Sequence, residues 1–82
     1  MFTNKLSDGR NNLCGKTIEK HRKAMHKSQR ELADMLQLAG LYVYKNAVQR
    51  IEVGKRFVTD IELTFFSRVL NVSYEELLNI QD

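Results

Sequence analysis

Ser28-Gln-Arg-Glu31, Thr59-Asp-Ile-Glu62 and Ser73-Tyr-Glu-Glu76 share one arrangement: a hydroxyl residue followed three positions later by a glutamate. In a capping box the hydroxyl accepts from the backbone N–H three residues on, and the carboxylate reaches back to the N–H of the cap. A single match carries little weight. Three matches, each leading into apolar residues at helical spacing, predict three helix starts.

The periodicity agrees with these starts. Leu32, Ala33, Met35 and Leu36 follow the first box, and Ile61, Phe65, Phe66, Val69 and Leu70 follow the second, with Leu63 open to another contact. Tyr74, Leu77, Leu78 and Ile80 follow the third. Upstream, residues 16–25 place Ile18, His21, Arg22 and Met25 on one side, a first helix with a polar inner stripe. Residues 45–53 put Ala47, Val48 and Ile51 inward and Lys45, Asn46, Gln49 and Arg50 outward. Gly40 and Gly54 fall where left-handed residues end helices. Four glycines and no proline also disfavour an all-strand chain, which needs many turn residues. The expectation is an all-α, compact five-helix domain over residues 14–82, preceded by a flexible tail over residues 1–13.

Several function classes are weak from the outset. No apolar run approaches the roughly 18 residues needed to span a bilayer. The opening MFTNKLSDGRNN has no apolar stretch before a small-residue cleavage site, so no signal peptide is expected. Cys14 is the single cysteine and cannot form an internal disulfide, which fits a reducing cytoplasm. Cys14, His21 and His26 are the only soft candidate ligands, and no two share a helix face at i, i+4, so no metal site is expected. A nucleophilic Cys14 would need a positioned histidine and a pocket, and no glycine cluster precedes a lysine to cradle phosphate. Neither an enzyme nor a cofactor-binding protein is expected.

Charge is uneven along the chain. Residues 1–30 carry Lys5, Arg10, Lys16, Lys20, Arg22, Lys23, Lys27 and Arg30 against Asp8 and Glu19, a balance of +6 within a net +3. From residue 60 onward Arg68 faces Asp60, Glu62, Glu75, Glu76 and Asp82, a balance of −4. This suits a basic face for a polyanion and an acidic end kept away from it. Charge alone fits solvated helix faces equally well. The side chains of residues 45–53 are more specific. Arg or Lys matches guanine O6/N7, and Asn or Gln matches adenine N6/N7. All four types on one face, opposite an apolar stripe, is what a major-groove helix requires, although an ordinary polar surface helix shares the pattern.

The order SQRELADML, then NAVQRIEVGKR, then TDIELTFFSRVLNVSYEELL resembles the lambda-repressor-like helix-turn-helix domain of phage repressors and XRE-type regulators. The likeness covers about residues 15–80. It implies that Lys45, Asn46, Gln49 and Arg50 read bases of double-stranded DNA. It also implies that Gln29 and Lys55 hold the DNA backbone, and that Arg22 and Glu52 form a structural ion pair joining helix 1 to the end of helix 3; Arg56, from its place past the end of helix 3, is also expected to touch phosphate. Ala33 resembles the small residue that lets helices 2 and 3 approach. The function implied is sequence-specific transcriptional regulation, repressive in character. A homodimer is expected, joined through helix 5 with Leu77, Leu78 and Ile80.

The chain departs from the family pattern in places. Lys27 stands where an apolar staple is usual, so a looser corner between helices 1 and 2 is expected. Val53 replaces a small polar residue before Gly54. From Leu36 to Ile51 is fifteen positions, about five more than the spacing usual in helix-turn-helix proteins of this kind. The connection is therefore lengthened, with Leu41 and Val43 expected against the core and Tyr42 and Tyr44 outward. Tyr44 takes the place of a polar N-cap, and its hydroxyl is a candidate phosphate contact. A protein-binding module on the same fold, an antitoxin or phage regulatory protein acting mainly through a protein partner, is the alternative, with Tyr42 and Tyr44 or the Phe65–Phe66 pair as its surface, although core packing is the favoured place for Phe65 and Phe66. RNA binding lacks the aromatic platform that RNA readers use.

Overall fold

A computed structural model describes residues 5–78. Its helices are α1 (Gly15–Ala24), α2 (Gln29–Ala39), α3 (Lys45–Glu52), α4 (Asp60–Leu70) and α5 (Tyr74–Leu77), with no strand among the described residues. Two capping boxes close completely. Ser28 Oγ accepts from Glu31 N at 3.0 Å while Glu31 Oε1 accepts from Ser28 N at 2.8 Å. Thr59 and Glu62 repeat the exchange at 3.1 and 3.0 Å. The third is half formed: Ser73 Oγ accepts from Glu76 N, but the Glu76 carboxylate meets His21 Nε2 on α1 instead. The carboxylate that would have returned to its own cap thus ties α5 to α1.

The predicted apolar stripes meet in one core. Ile18, Leu32, Leu36, Val48, Ile51, Phe66 and Leu77 have no solvent exposure, and Cys14, Ala33, Val43, Leu70 and Val72 complete the buried set. Each large side chain withdrawn in this way contributes about 1.5–3 kcal/mol relative to exposure. Phe66 is the largest of them, and truncating such a residue to alanine costs about 3–5 kcal/mol. Ile61 departs from its expected place and faces solvent, while Leu63 packs against the core. One turn into α4 the inward stripe therefore runs through Leu63, Phe66 and Leu70, an i, i+3, i+7 series.

Leu77 corrects the expected dimer surface. It is fully buried in its own domain, so it has nothing to offer a second copy, and only Leu78 of the trio is an exposed described residue. Ile80 lies outside the described residues.

The connection between α2 and α3 shares its added length between helix and turn. α2 continues through Ala39 and ends at Gly40, whose φ of 112° lies in the left-handed region. Leu41 N then donates to Leu36 O at 2.9 Å, and Gln37 Nε2 reaches forward to Val43 O at 2.9 Å. Val43 is buried and Leu41 packs against the core, whereas Tyr42 and Tyr44 stand out in solvent.

The corner between α1 and α2 is tight despite Lys27. His26 adopts φ 58°, and Arg22 Nη1 donates to Lys27 O at 2.8 Å. A guanidinium fastening the corner backbone takes over what an apolar staple would otherwise do.

The last residues of the N-terminal segment are bonded to the body of the domain. Asn12 is buried, its Nδ2 donating to Ile51 O at 3.0 Å and Arg56 O at 2.8 Å while its Oδ1 accepts from Gly15 N at 2.8 Å. Gly15 allows this approach, because a Cβ there would collide with the Ile51 carbonyl oxygen. The start of α1 is thereby pressed against the end of α3.

Candidate nucleic-acid interface

α3 is eight residues long and divides cleanly between two faces. Val48, Ile51 and Glu52 are buried, while Lys45, Asn46, Gln49 and Arg50 are all exposed. The pairs 45/49 and 46/50 are each one turn apart, so the four side chains form a single patch. None of them bonds another described side chain, although their donors and acceptors are the richest on the surface of this helix. Tyr44, the N-cap, makes no side-chain cap bond and is 65% exposed. The first turn of α3 also lacks an acidic residue. Its N-terminal N–H groups therefore have no side-chain acceptor among the described residues.

Glu52 anchors the inner side. Arg22 Nε and Nη2 donate to its two carboxylate oxygens at 2.7 and 3.0 Å, in the parallel arrangement that guanidinium and carboxylate favour. Gln29 Nε2 donates to the same carboxylate at 3.0 Å. Gln29 thus sits at the base of α2 facing α3, with one amide hydrogen engaged by Glu52. The second amide hydrogen and Oε1 of Gln29 have no partner among the described residues.

Lys55 and Arg56, expected as equivalent backbone contacts, are placed differently. Lys55 is exposed with no side-chain partner among the described residues. Arg56 forms a two-pronged bond with Glu62, Nη1–Oε1 3.0 Å and Nη2–Oε2 2.7 Å, and also donates to Phe57 O. Its guanidinium joins the exit of α3 to the capping box of α4. Arg56 thus braces the loop, with its guanidinium partly exposed.

Residues 5–12 were missed as part of this region. Arg10 Nη2 donates to Glu52 O at 2.6 Å, Asn11 N to Gly54 O at 2.8 Å, and Asn11 Nδ2 to Lys55 O at 3.0 Å. With Asn12 they satisfy the carbonyls that the end of α3 and its exit loop would leave open. Gly54 suits this seat on two counts: its φ is +86°, and a Cβ would meet the Arg10 guanidinium. Asn12-Leu-Cys-Gly15 was the available signal, an asparagine three residues before a glycine at a helix start, where Asn side chains bond local backbone.

A second recess lies beside Tyr44, lined by Arg30, Ala33, Asp34, Gln37 and Lys45. It brings the outer side of α2 next to the start of α3. Cys14 is buried beneath α1, and burial pushes its thiol up to about 11, so it is a core side chain without thiolate character at neutral pH. No cluster of three or more His, Cys, Asp or Glu suited to a metal occurs among the described residues, and no described helix is long and apolar enough to cross a membrane.

A family model described as helix-turn-helix matches residues 18–77. Comparison with curated proteins and with solved structures finds no significant match.

Proposed function

The chain belongs to the lambda-repressor-like, XRE-type helix-turn-helix family, and from that premise we propose that it is a sequence-specific transcriptional repressor that reads the major groove with α3. One observation carries the reading: Lys45, Asn46, Gln49 and Arg50 are exposed together on α3, opposite the buried Val48 and Ile51. A helix of this width fits the major groove, where each base pair shows a distinct set of donors and acceptors. Arg50 and Lys45 suit guanine, and Asn46 and Gln49 suit adenine. Lys55 holds a phosphate beyond the end of α3, and Tyr44 contributes its hydroxyl to another near the start. Arg22 and Glu52 set the angle of α3 and touch no DNA.

An eight-residue helix covers few base pairs, so specificity calls for two copies on a two-fold-related operator with half-sites about one helical turn apart. The copies do not meet through Leu77. Binding to operator-like and random duplex at rising salt tests the reading. Preference for one sequence with a steep salt slope supports it, and equal weak binding to all duplexes contradicts it.

A protein-binding role is the second reading, and Leu38 and Tyr42 favour it. They are 90% and 77% exposed at the end of α2 and in the lengthened connection. Co-purification of a partner together with no duplex binding would decide for it.

A further inference from the structure

A cleft of about 460 Å³ runs between residues 5–11 and the end of α3. Lys5, Arg10, Arg50 and Lys55 line it against a single carboxylate, Asp8. Arg50 belongs to the exposed face of α3, so the cleft continues that face toward the N-terminal segment. We propose that this cleft is a second backbone site of the DNA interface, in which Lys5 contacts a phosphate beside the one held by Lys55.

The segment is held in position by its own bonds. Asn11 donates from its backbone to Gly54 O and from its side chain to Lys55 O, fixing the segment to the loop that carries Lys55. Leu6 N donates to Arg10 O at 2.8 Å and Gly9 N to Leu6 O at 2.9 Å, folding residues 6–10 into a closed turn. Lys5 Nζ donates to Asn11 Oδ1 at 3.2 Å, which places the ammonium at the cleft while leaving it two further hydrogens. Arg10 Nη2 donates to Glu52 O and the guanidinium covers Gly54, so it adds positive charge to the wall of the cleft. Asp8 is turned away from a phosphate role, accepting from Arg10 N and approaching Lys16. A phosphodiester entering here meets two exposed ammonium groups, Lys5 and Lys55, next to a base-reading arginine.

The proposal rests on the DNA-binding reading, and one experiment separates the two. The salt dependence of binding to a selected duplex and to a random duplex is measured for the parent chain, Lys5→Gln, Lys5→Arg and a distant control, Lys20→Gln. Each phosphate contact contributes about 0.9 to the slope of log K against log salt. The expected result is a slope shallower by about 0.9 for Lys5→Gln, with severalfold weaker binding on both duplexes. Lys5→Arg should restore the parent values, and Lys20→Gln should stay close to them. A Lys5→Gln slope equal to the parent's overturns the phosphate site and leaves the α3 reading intact, as does failure of Lys5→Arg to restore it. A parent chain with no salt-sensitive DNA binding overturns both.

Discussion

Arg22 closes on Glu52 with both carboxylate oxygens engaged, at 2.7 and 3.0 Å, and the two side chains are 10% and 0% exposed. Gln29 adds a third donor, so the carboxylate is the point where α1, α2 and α3 are fastened. Removing either charge leaves the other uncompensated in a dry environment, which costs about 3–5 kcal/mol. Arg22→Ala and Glu52→Ala should each lower the thermal midpoint, by about 4–8 °C per kcal/mol in a domain of this size. Circular dichroism melts check this. An unchanged midpoint would mean that the pair does not form.

The second carboxylate clamp gives a pH dependence. Hydrogen bonds from Arg56 hold Glu62 below its ordinary value of 4.5; burial opposes them, and the Thr59 N–H assists. Because the folded-state pKa is depressed, the stabilisation is present above the unfolded value and is lost as pH falls through the folded one. Glu31 is shifted the same way, chiefly by the Ser28 N–H. Stability should therefore fall below about pH 4.5, and Glu62→Gln should flatten part of that decline. Melts of the parent and the variant between neutral pH and acid measure the difference. Identical profiles would contradict the Arg56–Glu62 bond.

Asn12 and Gly15 predict a different kind of loss. Asn12→Ala leaves the Arg56 carbonyl and the Gly15 N–H without their partner and takes one of two donors from Ile51 O, which keeps the Gly54 N–H, at about 1–3 kcal/mol for each unpaired group that stays dry. Gly15→Ala forces the backbone of α1 away from the Ile51 carbonyl. Both variants should unfold at lower denaturant than the parent. A midpoint unchanged in both would show that the N-terminal segment is not seated on α3.

These cases mark what the sequence could and could not reveal. Helix starts were legible because Ser28 and Thr59 act locally, through bonds to residues three positions on. The outward face of α3 was legible for the same reason, being a matter of period. The partners of Glu76, Gln29 and Arg56 were not, since each side chain chose between a local and a distant acceptor or donor. Glu76 left its cap for His21, and Arg56 found the capping glutamate of the next helix. Residues 10–12 lack any apolar periodicity, and their order comes from capping carbonyls some forty positions away, which no window along the chain contains. Leu77 looked available for a partner because α5 is too short for period alone to say which side faces the core.

Tyr44 offers a sharper question than its exposure suggests. It caps α3 without a side-chain bond, so Tyr44→Phe should leave the melting midpoint unchanged, within about 0.5 kcal/mol in stability. If the hydroxyl contacts a phosphate, the same variant weakens binding equally on all sequences. Duplex affinity that matches the parent would remove Tyr44 from the interface.

Arg50 tests the reading helix itself. Its guanidinium is exposed on α3 with no partner among the described residues. Arg50→Ala should relax specificity at one base position per half-site by roughly 1–3 kcal/mol. Selection from random duplexes by the parent and by this variant, with sequencing of the bound DNA, measures that directly. The expected result is a two-fold-related motif for the parent and loss of preference at a single position in each half for Arg50→Ala. A parent selection without an enriched motif, or a variant weakened equally at every sequence, would contradict base reading by α3.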